Sequence, residues 1–282
     1  GIRNLAFRML TGELVKEAKV RAQSSDILLT PSMSCDRQSG LKVVSLVSGK
    51  DLEMLLWSLK SLFFFSNCSW DLWILDGGLN EMDEELLRQH FPGARIWREV
   101  DLAAALLGQL SSYRHARNLR IDRGYMPAKK IIDAPWLLGD HKFLLLDSDV
   151  LFFQKPVEIL DRLRQPEVKR FAFSIDESGV NSGVAIVPGS SVSFDKIESI
   201  LSSMSETQQK TWWIEQNLYV EIAKHCYDML PNFYATEPVQ GLSYDKMVCC
   251  HFIHVCRHRF YTEGIRQLGV VGFLEMLRSS KK

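Results

Sequence analysis

Phe143-Leu144-Leu145-Leu146-Asp147-Ser148-Asp149-Val150-Leu151-Phe152-Phe153 sets two aspartates between two apolar runs. The first run reads as a buried strand. Aspartate is depleted from strands and costly to bury, so a pair at a strand's end needs a positive partner. A divalent cation is the economical one. Magnesium and manganese take oxygen ligands and commonly bind through one or two carboxylates plus a substrate's phosphates. The plainer alternative is a turn or a helix cap.

Working outward, the pair is followed by Pro156, a short amphipathic stretch at Val157-Glu158-Ile159-Leu160 and a strand at Phe171-Ala172-Phe173-Ser174-Ile175. Next comes Asn181-Ser182-Gly183-Val184-Ala185-Ile186-Val187. Upstream, Lys42-Val43-Val44-Ser45-Leu46-Val47 reads as a strand ending in Ser48-Gly49. Asp51 is placed to cap a helix carrying Leu52, Leu55, Leu56, Leu59 and Phe63. The unit repeats with Leu72-Trp73-Ile74-Leu75 before Asp76-Gly77-Gly78, a helix near Asp83 to His90, and Ala94-Arg95-Ile96-Trp97. Later helices carry Phe194, Ile197, Ile200, Leu201 and Met204, then Ile214, Leu218 and Ile222. Such alternation predicts an α/β domain with a mixed, mostly parallel sheet flanked by helices, whose ligands collect at the carboxyl ends of the strands. Ser48, Asp76, Asp147 and Asp149 all fall at predicted strand ends. The first stretch, through Ala22, reads as an amphipathic helix leading into a polar Ser/Pro-containing segment. The expected organisation is therefore an appendage and linker over 1–40 and a catalytic domain over 41–282.

Bulk properties exclude several classes. The 282 residues suffice for a full core, and 46% hydrophobic with 24% charged residues is the balance of a globular enzyme. Lysine plus arginine equals aspartate plus glutamate at 34 each, and no basic stripe is interleaved with aromatics, which argues against nucleic acid. The helically spaced Arg114, Arg117, Arg120 and Arg123 read as a face that binds phosphate or an acidic acceptor, or equally as a solvated helix face. No window approaches a membrane span, because Leu52 to Phe65 is interrupted by Glu53, Ser58, Lys60 and Ser61. With no signal-peptide pattern at the N-terminus, a cytoplasmic protein is expected, peripheral membrane association through the first helix staying open. The six cysteines lack a disulfide framework. Cys249-Cys250-His251-Phe252-Ile253-His254-Val255-Cys256 invites zinc, yet it offers no Cys-x-x-Cys knuckle, and strand alternation would split the ligands between two faces.

The order of these elements, with Lys129-Lys130, Asp147-Ser148-Asp149, Asn181-Ser182-Gly183-Val184, Glu215-Gln216-Asn217 and a late His251-Phe252, resembles the GT-A glycosyltransferases, in particular the glycogenin and lipopolysaccharide-galactosyltransferase group. The resemblance spans roughly Leu41 to Ile265 in element order, with few residue matches. It implies that Asp147, Asp149 and His251, or His254 in its place, hold manganese or magnesium, which bridges the diphosphate of a nucleotide sugar, usually a UDP-sugar. It also implies catalytic positions at Glu215, Gln216 and Asn181. Donor contacts would come from Ser45, Ser48, Asp76, Lys129, Lys130, Asp147, Ser148 and Gly183, with Arg123 a lesser candidate. The family's Gly and Lys-Pro-Trp after the histidine are replaced by Arg257-His258-Arg259-Phe260-Tyr261. Arg257 or Arg259 could then serve the diphosphate, since arginine pairs bidentately with phosphate oxygens. The subgroup implies retention of anomeric configuration. The acceptor stays open between glycan, lipid-linked sugar, protein and small molecule.

Two rivals stand beside this reading. Nucleotidyl transfer also uses paired aspartates, but it predicts a glycine-rich phosphate loop that the sequence lacks. A catalytically silent module that binds a sugar or a partner would tolerate loss of the carboxylates, and both are present.

Overall fold

The computed structural model describes residues 24–165, 167, 169–176, 179–224, 226–237, 243–253 and 256–279. The expected N-terminal helix and His254 lie outside these residues. A ten-stranded sheet forms the centre. Its strands are β1 (Lys42–Val47), β2 (Asp71–Asp76), β3 (Arg95–Trp97), β4 (Lys142–Leu146), β5 (Val150–Phe152), β6 (Phe171–Asp176), β7 (Gly179–Pro188), β8 (Tyr227–Met229), β9 (Tyr234–Thr236) and β10 (Cys249–His251). The spatial order is β3-β2-β1-β4-β7-β6-β9-β10-β5, with β8 beside β6. Strands β1 to β4 run parallel, while β7 is antiparallel to both β4 and β6, and β5 is antiparallel to β10.

Helices cover both faces, as the alternation requires. Among the described residues the longest is α1 (Leu52–Ser66), and α2 (Glu81–His90) starts in a capping box in which Asn80 and Asp83 satisfy each other's backbone N–H groups. The others that matter are α3 (Glu99–Gln109), α4 (Phe194–Ser203) and α5 (Ile214–Ala223). Strand alternation sorts the core into two layers. Val43 and Val47 of β1 pack with Leu55, Leu59 and Leu62 of α1, whereas Val44 and Leu46 pack with Leu102 and Leu106 of α3 and residues of α4 and α5. Residues 24–40 lie against the first layer. Ile27 is fully buried there, Trp57 donates to the Ser24 carbonyl at 2.9 Å, and the fully buried Lys60 ammonium is held by Thr30 and Pro31.

Asp51 precedes α1 as the sequence predicts, but its side chain does not cap it. The carboxylate accepts instead from Ser48 Oγ and from Arg257. Arg120 also departs from the solvated or phosphate-binding face. It is 2% exposed and forks onto Asp133 and Glu99, at 2.7–2.9 Å, so this guanidinium stitches helical segments together.

Candidate active site

The chain leaves the middle of the sheet at Leu146 and, after three intervening residues, enters β5 at its far edge. Asp147-Ser148-Asp149 bridges that jump. Two registers bring distant segments to it. Pairing of Val184 with Leu146 sets Gly183 beside Asp147, whose N–H donates to the Gly183 carbonyl at 2.8 Å. Pairing of His251 with Val150 sets the imidazole beside Asp149, whose carbonyl accepts from Phe252 N–H at 2.8 Å. Residues separated by about a hundred positions thus meet at one rim of the sheet.

His251 is 4% exposed and bonded on both ring nitrogens. Nδ1 lies 3.0 Å from Asn181 Oδ1, and that oxygen also accepts from Gly183 N–H at 2.8 Å, which fixes the amide orientation and makes Nδ1 the donor. Asn181 Nδ2 donates to Asp176 at 3.0 Å. Nε2 consequently faces the carboxylates, 3.0 Å from Asp149 and 3.7 Å from Asp147. Burial opposes charge on His251, but Asp149 and Asp147 outweigh it and raise its pKa. Burial likewise disfavours the Asp149 carboxylate, while His251 and Arg257 hold its pKa below the ordinary value.

Asp147, Asp149 and His251 each offer a ligand atom, all within 4.8 Å of one another, and among the described residues they are the one such group. Two carboxylates and one imidazole, the latter oriented by an acceptor on its other nitrogen, fit a divalent ion that accepts oxygen and nitrogen. Gly183 is part of this fit, because a Cβ there would overlap the His251 ring. Cys249 and Cys250 are buried in the hydrophobic layer and are not in the group.

Two cations bear on the carboxylates. Lys130 forms an ion pair with Asp147, and Arg257 bridges Asp51, at 2.7 Å, and Asp149, at 3.3 Å. Beyond them opens a cleft of about 630 Å³, whose lining includes Lys130, Asp147, Ser148, Asp149, Asn181, Glu215, Gln216, His251 and Arg257. Glu215, from the first turn of α5, is 4% exposed. Ser182 Oγ donates to its Oε2 at 3.0 Å, and Oε1 has no hydrogen-bond partner. Burial pushes its carboxyl up to about 7, with Lys130 opposing and Asp147 reinforcing.

Other expected donor contacts lie elsewhere. Ser45 is fully buried in mid-strand, and by alternation it faces the α1 layer. Ser48 bonds Asp51 at 3.0 Å and is not in the lining. Asp76 does end its strand, yet its carboxylate accepts from the N–H groups of Gly78, Leu79 and Glu99 at 2.7–3.0 Å, and these bonds hold its pKa down against burial. Lys129 points away to Glu99, at 2.6 Å, and to the Asp76 carbonyl, so of the adjacent pair Lys130 alone lines the cleft. Arg123 donates to the Gln209 carbonyl at 2.7 Å and Arg259 pairs with Glu263 at 2.6 Å, both outside the cleft. Sequence reasoning missed Lys50, Tyr125, Trp212, Trp213 and Thr236 in the lining and the Asp51 partner of Arg257. The adjacent tryptophans just ahead of Glu215 were the available signal.

No protein-family model matches the chain, and no curated protein is similar to it in sequence. Solved structures do match. A galactosyltransferase, LgtC, in complex with donor and acceptor sugar analogues aligns over 83% of this chain and 96% of its own, at 14% identity and a TM-score of 0.51. The glycosyltransferase GlyE of Streptococcus pneumoniae TIGR4 aligns over 84% of this chain and 64% of its own, at 13% identity and a TM-score of 0.54. The sheet order, the two helical layers and these likenesses together give the chain the fold of the GT-A glycosyltransferases.

Proposed function

We propose that this protein is a metal-dependent glycosyltransferase that moves a sugar from a nucleoside diphosphate sugar, a UDP-sugar in the first instance, to a hydroxyl acceptor with retention of configuration. The observation that carries the reading is the convergence of Asp147, Asp149 and His251 at the carboxyl end of the sheet, beside a cleft that also holds Lys130, Arg257 and Glu215. Asp147, Asp149 and His251 Nε2 are the groups to hold the cation. When bound, manganese or magnesium supplies Lewis-acid charge for the departing diphosphate.

The chain's own residues do the rest. Lys130 and Arg257, now on the carboxylates, are the two cations placed to turn to phosphate oxygens, Arg257 in forked geometry. Asn181 keeps Nδ1 of His251 protonated and its Nε2 facing the carboxylates. Ser182 holds one oxygen of Glu215 and leaves the other for the donor sugar, with Gln216 next to it in the lining. In the transfer, the bond between the anomeric carbon and the diphosphate oxygen breaks on the face where the bond to the acceptor oxygen forms, and the acceptor's proton passes to the diphosphate. The buried Glu215 carboxylate stabilises the positive charge that develops on the sugar.

Calorimetry with UDP, in the presence and absence of manganese, on the wild type and Asp149→Asn tests the proposal. Tight binding that needs manganese and is lost in the variant is the expected result. Binding indifferent to both manganese and the substitution overturns the metal assignment, and absence of binding to UDP and, in the same titration, to ADP, GDP and CDP favours a silent module.

A further inference from the structure

Trp212 and Trp213 line the cleft beside Glu215 and are 63% and 55% exposed. Large aromatic side chains left in solvent at the mouth of a polar cleft need an apolar partner to be anything but a cost. Trp212 is not loose. Tyr125 packs edge-on against it, with centroids 6.4 Å apart, and the Tyr125 hydroxyl donates to the Trp212 carbonyl at 2.5 Å. Three buried polar atoms of the same lining lack hydrogen-bond partners, Glu215 Oε1, Thr236 Oγ1 and Arg257 Nε; Arg257 Nε faces Asp149 at 3.3 Å and Glu215 Oε1 is left to the donor sugar, so Thr236 Oγ1 is the one open to a second ligand. Buried polar atoms are ordinarily paired, so an orphan in a cleft wall marks where a ligand's hydroxyl belongs.

The charge of the lining narrows the ligand further. Asp51, Asp147, Asp149, Asp176, Glu215 and Glu237 face only Lys50, Lys130 and Arg257 as fixed cations among the described lining residues. A divalent cation and a nucleotide sugar's diphosphate largely cancel each other, so the excess negative charge persists for whatever enters next. An anionic acceptor is repelled. A pyranose ring supplies one apolar C–H face and a rim of hydroxyls without charge, matching both the indoles and the orphaned Thr236 hydroxyl.

We propose that Trp212 and Trp213 form the acceptor subsite of this cleft and that its ligand is an uncharged saccharide ring stacked on the indoles. Its role as acceptor rests on the transferase reading above. Saccharide binding itself does not depend on that reading, and the two fail separately.

The test is saturation-transfer NMR on the full chain with magnesium and UDP, using methyl β-galactopyranoside, methyl α-glucopyranoside, methyl β-xylopyranoside and methyl β-glucuronide. At least one neutral glycoside is expected to bind through its ring protons, and the glucuronide to bind distinctly more weakly. Trp212→Ala or Trp213→Ala should weaken binding by about fivefold or more, with the matching Phe substitution restoring most of it. Both side chains are exposed, so the substitutions spare the core, and Thr236→Val gives an independent arm with loss of affinity expected. Neutral glycosides that fail to bind, binding untouched by both alanine variants, or a glucuronide that binds as well as the neutral sugars each overturn the inference. UDP titrated in parallel separates the claims. Without UDP binding the donor reading falls, whereas tryptophan-dependent saccharide binding upholds the subsite.

Discussion

Gly183→Ala tests the geometry on which the metal group depends. The added Cβ overlaps the His251 ring, and the ring has no free direction of retreat. It is 4% exposed, bonded at 3.0 Å to Asn181 on one side and at 3.0 Å to Asp149 on the other. The backbone of Gly183 is equally fixed, by its pairing with the Asp147 N–H at 2.8 Å. Accommodation must therefore rotate the imidazole out of both bonds or spread β4 from β7. Overpacking of this kind costs about 1–3 kcal/mol, and a displaced ligand or its supporting partner lowers metal affinity by roughly 10–100-fold. Urea denaturation and manganese titration of Gly183→Ala read the two effects. The decisive form is a double-mutant cycle with His251→Ala, because removing the ring removes the clash. Gly183→Ala should then cost far less stability in the His251→Ala background than in the wild type, a coupling of about 1–2 kcal/mol. Additive costs, or a Gly183→Ala protein that binds manganese as the wild type does, would refute the proposed packing.

Two further expectations concern stability away from the cleft. Arg120→Met leaves Asp133 buried without its guanidinium, and breaking such a pair on one side should destabilise the fold by about 3–5 kcal/mol in urea. Arg120→Met/Asp133→Leu should recover most of that loss, and a fully tolerated single variant would show that the pair is not a buried network. His90, at the end of α2, is 5% exposed, and its pKa is lowered from 6.5 to about 4, first by burial and then by Lys60. The unfolded chain takes up the proton below 6.5 and the folded one only near 4. His90 therefore contributes stability above 6.5 that is lost as pH falls through this window, by about 2–3 kcal/mol. Urea midpoints from pH 7 to 4 should show that slope, and His90→Leu should flatten it. An unchanged slope in the variant would assign the acid sensitivity elsewhere.

The local sequence determined the architecture and the nucleus of the candidate site. Alternating apolar runs and helical spacing are written into neighbouring residues, so β1, α1, β2 and α2 could be placed from periodicity. An aspartate pair after Phe143-Leu144-Leu145-Leu146 could be recognised because buried carboxylates are costly wherever they occur. Strand-end position, by contrast, did not decide what a side chain does. Asp76 ends β2 and spends its carboxylate on three backbone N–H groups. Ser45 is turned into the core by alternation, and Lys129 and Lys130, adjacent in the chain, point to different partners. Arg120, which helical spacing grouped with solvated arginines, is buried because Asp133 and Glu99 surround it. Only tertiary structure decided these, since each depends on a register or a facing element distant in sequence. His251 meets Asp149 through the pairing of β10 with β5, and Asn181 reaches His251 through the pairing of β7 with β4. Asp51 finds Arg257 across more than two hundred residues. The residue types were legible one by one, but the distances that turn them into a site arise from strand pairings that no local pattern records.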